Sequence, residues 1–231
     1  MKNNLKIHPH ETLQIGIILS LVGGILDAHT FIFRNGVFAN TQTGNIVFLA
    51  LFLNTHKTQR TIQCILSMVA FMFGILLTEL IKKKIENRYK LNYICIILTI
   101  EMIFLAVIST IPKNVNNTTV IVVVSFVCAI QTNAFRSLKG SPYATTMCTG
   151  NLRSACSSLY FYIFEKDKKK GKVCFSYLII IAAFFIGVLL GRFLTFEIKQ
   201  GTILVCSFLL FAAILIIVFQ GNLKKHKNTR T

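Results

Sequence analysis

Six stretches of this chain, 13–33, 62–82, 92–111, 118–138, 173–194 and 202–220, are long, apolar and nearly free of charge. None holds more than two Asp, Glu, Lys or Arg residues. At about 1.5 Å of rise per residue, each reaches across the roughly 30 Å of hydrocarbon in a bilayer. A single 231-residue soluble core cannot hide six such runs, and a mean hydropathy of +0.64 points the same way. The expected class is an all-α transmembrane protein with six spanning helices. Lys2 and Lys6 precede the first run, but that run ends at Asp27-Ala28-His29 without a small-x-small cleavage site, so it reads as a span rather than a removed signal.

The chain also repeats itself. Thr43-Gly44-Asn45 recurs as Thr149-Gly150-Asn151, 106 residues later, and at that offset Asp27 falls on Asn133 and Ala28 on Ala134. Ala70-x3-Gly74-x3-Thr78 is echoed by Ala183-x3-Gly187-x3-Gly191 at an offset of 113, the extra seven residues fitting in the basic loop Glu165–Lys172. Two membrane repeats are expected, 1–112 and 113–222, followed by a basic cytoplasmic tail, 223–231. Duplicated membrane proteins with a polar, glycine-containing interruption in each half are a recurring transporter design.

Charge sets the expected topology. The net charge is +17, from 25 Lys and Arg against eight acids. With six spans and the N-terminus inside, 19 basic residues fall in cytoplasmic segments and five in outer ones. If both Thr-Gly-Asn segments crossed fully, making eight spans, the split would be 14 to 9. The positive-inside rule selects six spans with both termini cytoplasmic, in the inner (cytoplasmic) membrane of the cell. Anionic lipid headgroups are the expected partner of the basic loops. A nucleic-acid partner is rejected, because the basic run 165–172 has no interleaved aromatics.

Three spans per half give the two repeats opposite orientations. Segment 37–53 then dips into the membrane from outside, and 144–164 from the cytoplasm, as re-entrant or broken helices. Non-helical backbone at membrane depth survives only buried in protein or lining a watery cavity. Gly permits turns and close approach, and Asn tolerates left-handed geometry and satisfies freed backbone groups. The plainer alternative is that each trio merely caps a short helix.

Gly24-Ile25-Leu26-Asp27-Ala28, Gly36-Val37-Phe38, Asn40 and Thr43-Gly44-Asn45, with the second Thr-Gly-Asn at 149–151, resemble the signature of the YoaK family of small multi-pass membrane proteins. The resemblance covers nearly the whole chain and departs at Gln42, where the family often has Met. It implies a six-helix membrane protein and supplies no chemistry, the family being a domain of unknown function.

Within the first run, Gly16, Ser20, Gly23, Gly24 and Asp27 recur at three- and four-residue steps and share a face; Ser125, Cys128, Ala129, Thr132 and Asn133 do so in the fourth. Such small-residue faces pack helices closely in lipid, and one of them would suit a homodimer. Packing does not explain the carboxylates. An acid at the centre of a spanning helix costs about 2.5–3.5 kcal/mol and marks function by default. Asp27 lies in the outer half of its run and Glu101 near the middle of its own; the alternative for Glu101 is a protonated acid bonded across a helix interface. Glu79, three and four residues before Lys82 and Lys83, reads as part of an interfacial ion pair. Arg192, near a helix end, can snorkel.

The expected substrate or ion site therefore comprises Asp27, Asn40, Thr43, Gly44, Asn45 and Glu101 from the first half, and Asn133, Thr149, Gly150 and Asn151 from the second. Seven cysteines without a C-x-x-C pair and one histidine inside a span, His29, make neither a disulfide framework nor a metal site. No cofactor or enzyme motif occurs. The leading expectation is a transporter or channel-like permease for a small solute, coupled to protons or cations through Asp27 and Glu101. A non-transporting membrane scaffold is the alternative. An intramembrane enzyme using the two carboxylates as an acid–base pair is the weakest reading.

Overall fold

The computed structural model describes residues 8–53, 55, 57–85, 90–112 and 117–228. Lys2, Lys6, Arg88, Lys113 and Arg230, which count toward the loop charges, lie outside the described residues. Among those described, the chain is almost wholly helical. The helices are α1 (Leu13–Phe33), α2 (Gln42–Phe52), α3 (Thr58–Ile85), α4 (Lys90–Ile108), α5 (Asn117–Ala134), α6 (Cys148–Phe164), α7 (Lys168–Ile198) and α8 (Gly201–Asn228). A single 3-10 turn, Pro9–Glu11, precedes α1, and a two-residue hairpin pairs Ser137–Leu138 (β1) with Ser141–Pro142 (β2).

Five of these helices, α1, α3, α5, α7 and α8, are long and apolar enough to cross a membrane. The sixth expected span is α4, whose apolar stretch Tyr93–Ile108 is shorter. The run 13–33 coincides with α1. Helix α7 begins five residues before the apolar run, because Asp167 accepts from the backbone N–H of Lys169 (2.8 Å) and Lys170 (3.4 Å) and caps it. The expected helix 118–138 stops at Ala134 instead. There the chain turns through Lys139 (φ 49°) and Gly140 (φ 80°), a left-handed pair that a tight hairpin requires. The Lys139 N–H bonds the Glu11 carbonyl at 2.8 Å, and Leu138 is buried against Tyr143, Ala155, Tyr177 and Ile180. Those contacts pull 135–138 out of the helix.

The tightest packing joins the two halves. Helix α1 lies on α7, and α3 on α5. The small-residue stripes form both seams: a Cβ on Gly24 would strike the Phe184 carbonyl and the Val188 nitrogen, and one on Gly191 would come within 2.7 Å of the Ile25 backbone. On the other seam, a Cβ at Gly74 would sit 2.7 Å from that of Ala129. Such approach is open only to residues with almost no side chain. Helix α8 packs on α4 and α1, α4 packs on α5, and the short α2 and α6 rest on α3 and α7. Since α1 corresponds to α5 at an offset of 106 and α3 to α7 at 113, exchanging the halves maps this contact pattern onto itself. Buried aliphatics of α1, α4, α5 and α8 make the main core, while Phe73, Phe185, Phe208 and Phe219 face outward, as lipid contact demands.

Candidate functional site

After α1 the chain reverses at Asn35 (φ 68°) and Gly36 (φ 78°) and returns alongside the helix it has just left. The Asn40 N–H donates to Asp27 Oδ1 at 2.7 Å, the Thr41 hydroxyl to Asp27 Oδ2 at 2.5 Å, and Asn40 Nδ2 to the Gly23 carbonyl at 3.3 Å. Gly23 and Asp27 lie about 15 and 9 Å below the end of α1, at 1.5 Å per residue. The segment that leads into α2 therefore lies beside α1 at the level of Gly23 and Asp27. Both Asp27 oxygens are occupied by the chain that leads into α2, so the carboxylate ties that segment to α1.

Asn45 explains the first Thr-Gly-Asn. Its Oδ1 accepts from the Phe38 N–H (2.9 Å) and its Nδ2 donates to the Phe38 carbonyl (2.8 Å). An amide side chain thus takes the place of a strand partner for backbone that has no ladder of its own. Gly44 admits the Phe38 ring, which would lie 2.9 Å from a Cβ there. The second copy is built alike: Asn151 accepts from the Ala144 N–H (3.3 Å) and donates to its carbonyl (2.6 Å). Phe38 and Ala144 are themselves 106 residues apart.

The two returning segments meet. The Thr146 methyl occupies the space where a Gly23 side chain would project, and Asn40 bonds the Gly23 carbonyl. Asn40 and Thr146 are again 106 residues apart, so equivalent residues of the two halves converge on one glycine of α1. Around this junction Asn40 Oδ1, Thr145 Oγ1 and Ser20 Oγ are buried without a hydrogen-bond partner. Cys128 of α5 and Cys148 of α6 lie near Asp27, and Cys128 and Cys206 of α8 lie near Glu101. Asp27, Asn40 and Glu101 are 2%, 5% and 1% exposed, which closes this region to solvent.

The first segment has a polar anchor that the second lacks. Ser67 of α3 bonds Ser125 of α5 (2.8 Å) and the Phe38 carbonyl (3.1 Å), and it accepts from Asn45 Nδ2 (3.2 Å) and Gln42 Nε2 (3.4 Å). At the offset of 113 its counterpart is Ile180, fully buried in an apolar cluster. Gln42 is thereby a working part of this chain's segment.

Other expected site residues lie elsewhere. Thr43, Thr149 and Gly150 are exposed on the outer surface of α2 and α6, and nothing lies within 4 Å of a Cβ built on Gly150. Asn133 is not beside Asp27. It sits at the far end of α5, where its amide donates to Glu79 (3.0 Å) and its carbonyl oxygen accepts from Arg136, which also pairs with Glu79 at 2.9 Å. This cluster borders a cavity of about 120 Å³ lined with His10, Glu11, Lys82 and Tyr93. Glu79 thus takes a basic partner from beyond α5. Arg192 is exposed and lies over the Phe196 ring.

At the opposite end is a cluster that sequence reasoning missed. Arg34, counted among the outer loop charges, is fully buried. Its guanidinium donates to the Ile111 carbonyl (2.9 Å), the Pro112 carbonyl (3.4 Å) and Asn117 Oδ1 (3.0 Å). Asn117 continues to Asn35, Asn35 to Gln63, and Gln63 to Thr118. Burial lowers the Arg34 pKa from its ordinary value. Only a Gln inside an apolar run, Gln63, hinted at this network. His29, also buried, meets Thr195 at 3.2 Å.

A family model described as "Protein of unknown function (DUF1275)" matches residues 15–216. The chain is 27% identical over 160 residues to the UPF0700 transmembrane protein YoaK of Bacillus subtilis (strain 168), a match covering 66% of this chain and 69% of that protein. No solved structure matches.

Proposed function

The chain belongs to the DUF1275 family, multi-pass membrane proteins of unknown function, and from that premise we propose that it is a small-solute permease of the inner membrane built from two inverted repeats. Helices α1, α3, α4, α5, α7 and α8 cross the bilayer, with both termini in the cytoplasm. The α4 helix, at 19 residues, is about 28 Å long and suffices with slight thinning of the bilayer. Helices α2 and α6 enter as half-helices from opposite faces, and their starts meet at Gly23.

The observation that carries this reading is that meeting. Residues at the same positions of the two Thr-Gly-Asn segments converge in the bundle beside the buried Asp27, with Asn40 Oδ1, Thr145 Oγ1 and Ser20 Oγ left without partners. Buried polar groups are nearly always satisfied, so unfilled capacity at a helix break is where a polar solute supplies the missing bonds. Neutral donors and acceptors dominate the junction, which suits an uncharged polar solute. Protons or cations couple through the carboxyls, and the basic cytoplasmic loops rest on anionic headgroups.

The test is single-cysteine accessibility at 40–46 and 146–152 in a cysteine-free background, with a membrane-impermeant thiol reagent applied to whole cells and to inverted vesicles. Labelling of the first segment only from outside and the second only from inside supports the permease. Protection of both segments from both sides would refute it. A scaffold or homodimer reading draws on the exposed Thr149 and Gly150, where open space at a helix surface suits a partner helix. It expects Gly150→Leu to abolish self-association on gel filtration while Asp27→Asn and Glu101→Gln leave function in cells unchanged.

A further inference from the structure

We infer that Glu101 of α4 is the proton-binding site of this membrane protein and that the coupling ion is therefore H⁺. The inference rests on the permease reading and narrows it. Two carboxyl groups are buried in the bundle, and among the described residues no basic side chain faces either. Their surroundings differ. Asp27 has a hydrogen-bond donor on each oxygen and stands at the start of α2, where the helix dipole favours negative charge. Glu101 has one: Gln131 Nε2 of α5 donates to Oε1 at 3.2 Å, and Oε2 has no partner.

Glu101 is 1% exposed. The titratable groups facing it are Cys128 of α5 and Cys206 of α8, neither a cation, and Asp27 of α1 reaches the same Cys128. The 3-10 turn sets His10 and Glu11 near Tyr93 and Ile94 at the start of α4, two turns from Glu101, and α3 contributes Lys82 at that same end, with Glu79 bonded to Asn133 there. A bare carboxylate in such surroundings, with a second carboxyl group and no cation near the same thiol, has nothing to offset its charge. A proton on Oε2 removes the charge and needs no further ligand. A metal cation needs several oxygens at once, and two thiols and one amide do not provide them. In the cycle, the proton leaves Oε2 for water on the side to which the bundle opens, and the carboxylate takes another from water on the opposite side.

The experiment is infrared difference spectroscopy of the full chain in lipid vesicles, with wild type, Glu101→Gln, Glu101→Asp and Asp27→Asn compared at neutral pH. The carbonyl stretch of a protonated carboxyl is expected in wild type. It is lost in Glu101→Gln, kept in Asp27→Asn and restored in Glu101→Asp. Transfer to D₂O shifts it, as an exchangeable proton requires. A measurement free of substitutions accompanies it: an apolar carbodiimide, which reacts with protonated carboxyls, forms an adduct mapped by peptide mass to Glu101. A band identical in wild type and Glu101→Gln, a band that never shifts in D₂O, or an adduct on Asp27 would overturn the inference. Intact band, exchange and adduct, with no flux for any solute in proteoliposomes, would instead remove the permease reading and leave Glu101 a proton site.

Discussion

Removing the amide clamp should cost more at the second Thr-Gly-Asn than at the first, although the two asparagines hold the backbone in the same way. Asn45→Ala takes away the partner of the Phe38 N–H, but the Phe38 carbonyl keeps the Ser67 hydroxyl at 3.1 Å. One backbone group is orphaned. Asn151→Ala orphans both the N–H and the carbonyl of Ala144, for which the asparagine is the partner in each case. An unsatisfied buried group costs about 1–3 kcal/mol, and because both sites are only partly buried the lower end applies. The expected losses are about 1 kcal/mol for Asn45→Ala and about 2 kcal/mol for Asn151→Ala. Ser67→Ala on its own should be mild, yet combined with Asn45→Ala it should exceed the sum of the single losses by at least about 0.5 kcal/mol, because the Phe38 carbonyl then loses both donors. The assay is reversible unfolding in mixed micelles titrated with a denaturing detergent. An Asn45→Ala loss equal to or larger than that of Asn151→Ala, or an additive cycle with Ser67→Ala, would refute the assignment of these side chains as backbone clamps.

Gly24→Ala should cost about 1–3 kcal/mol, since the new methyl meets α7 backbone rather than a movable side chain, whereas Gly150→Ala, with nothing nearby, should be neutral or stabilising by up to about 1 kcal/mol; equal losses in the same unfolding assay would contradict the packing. Arg34→Lys should fail to restore the stability lost in Arg34→Ala, because one ammonium cannot serve the three oxygens spread across NH1 and NH2; full rescue would argue against the buried fork. Glu79→Gln should cost under about 1 kcal/mol, as its ion pair with Arg136 joins side chains that are 46% and 58% exposed, and a larger loss would mean the pair is less solvated than this.

The candidate site was legible in part, and the reason differs residue by residue. Asn45 and Asn151 announced themselves by recurring at a fixed offset, and their role follows from a local reach of seven residues back along the chain. Asp27 was conspicuous as an acid in an apolar run, but that it holds the chain leading into α2 depends on a chain reversal after Gly36. Thr43, Thr149 and Gly150 share the motif with the asparagines but point the other way, because a helix places neighbours about 100° apart and only one residue of the trio can face inward. Ser67 and Gln131 look unremarkable in sequence. Their partners lie 22 to 58 residues away on other helices.

What the chain determined by itself is what short-range chemistry can encode: apolar runs long enough for a bilayer, the stripes of Gly and Ala that allow close seams, and short motifs that recur at offsets of 106 and 113. Those are properties of composition and period, carried by each segment alone. Tertiary structure decided which seam each stripe forms, that α5 yields to a hairpin at Ala134, that Arg34 is buried rather than solvated, and that Asn40 and Thr146 meet at Gly23. Each of these turns on whether two distant groups come within about 3 Å, the range over which a hydrogen bond or a steric contact acts. No period in the sequence carries that distance; only the packed bundle does.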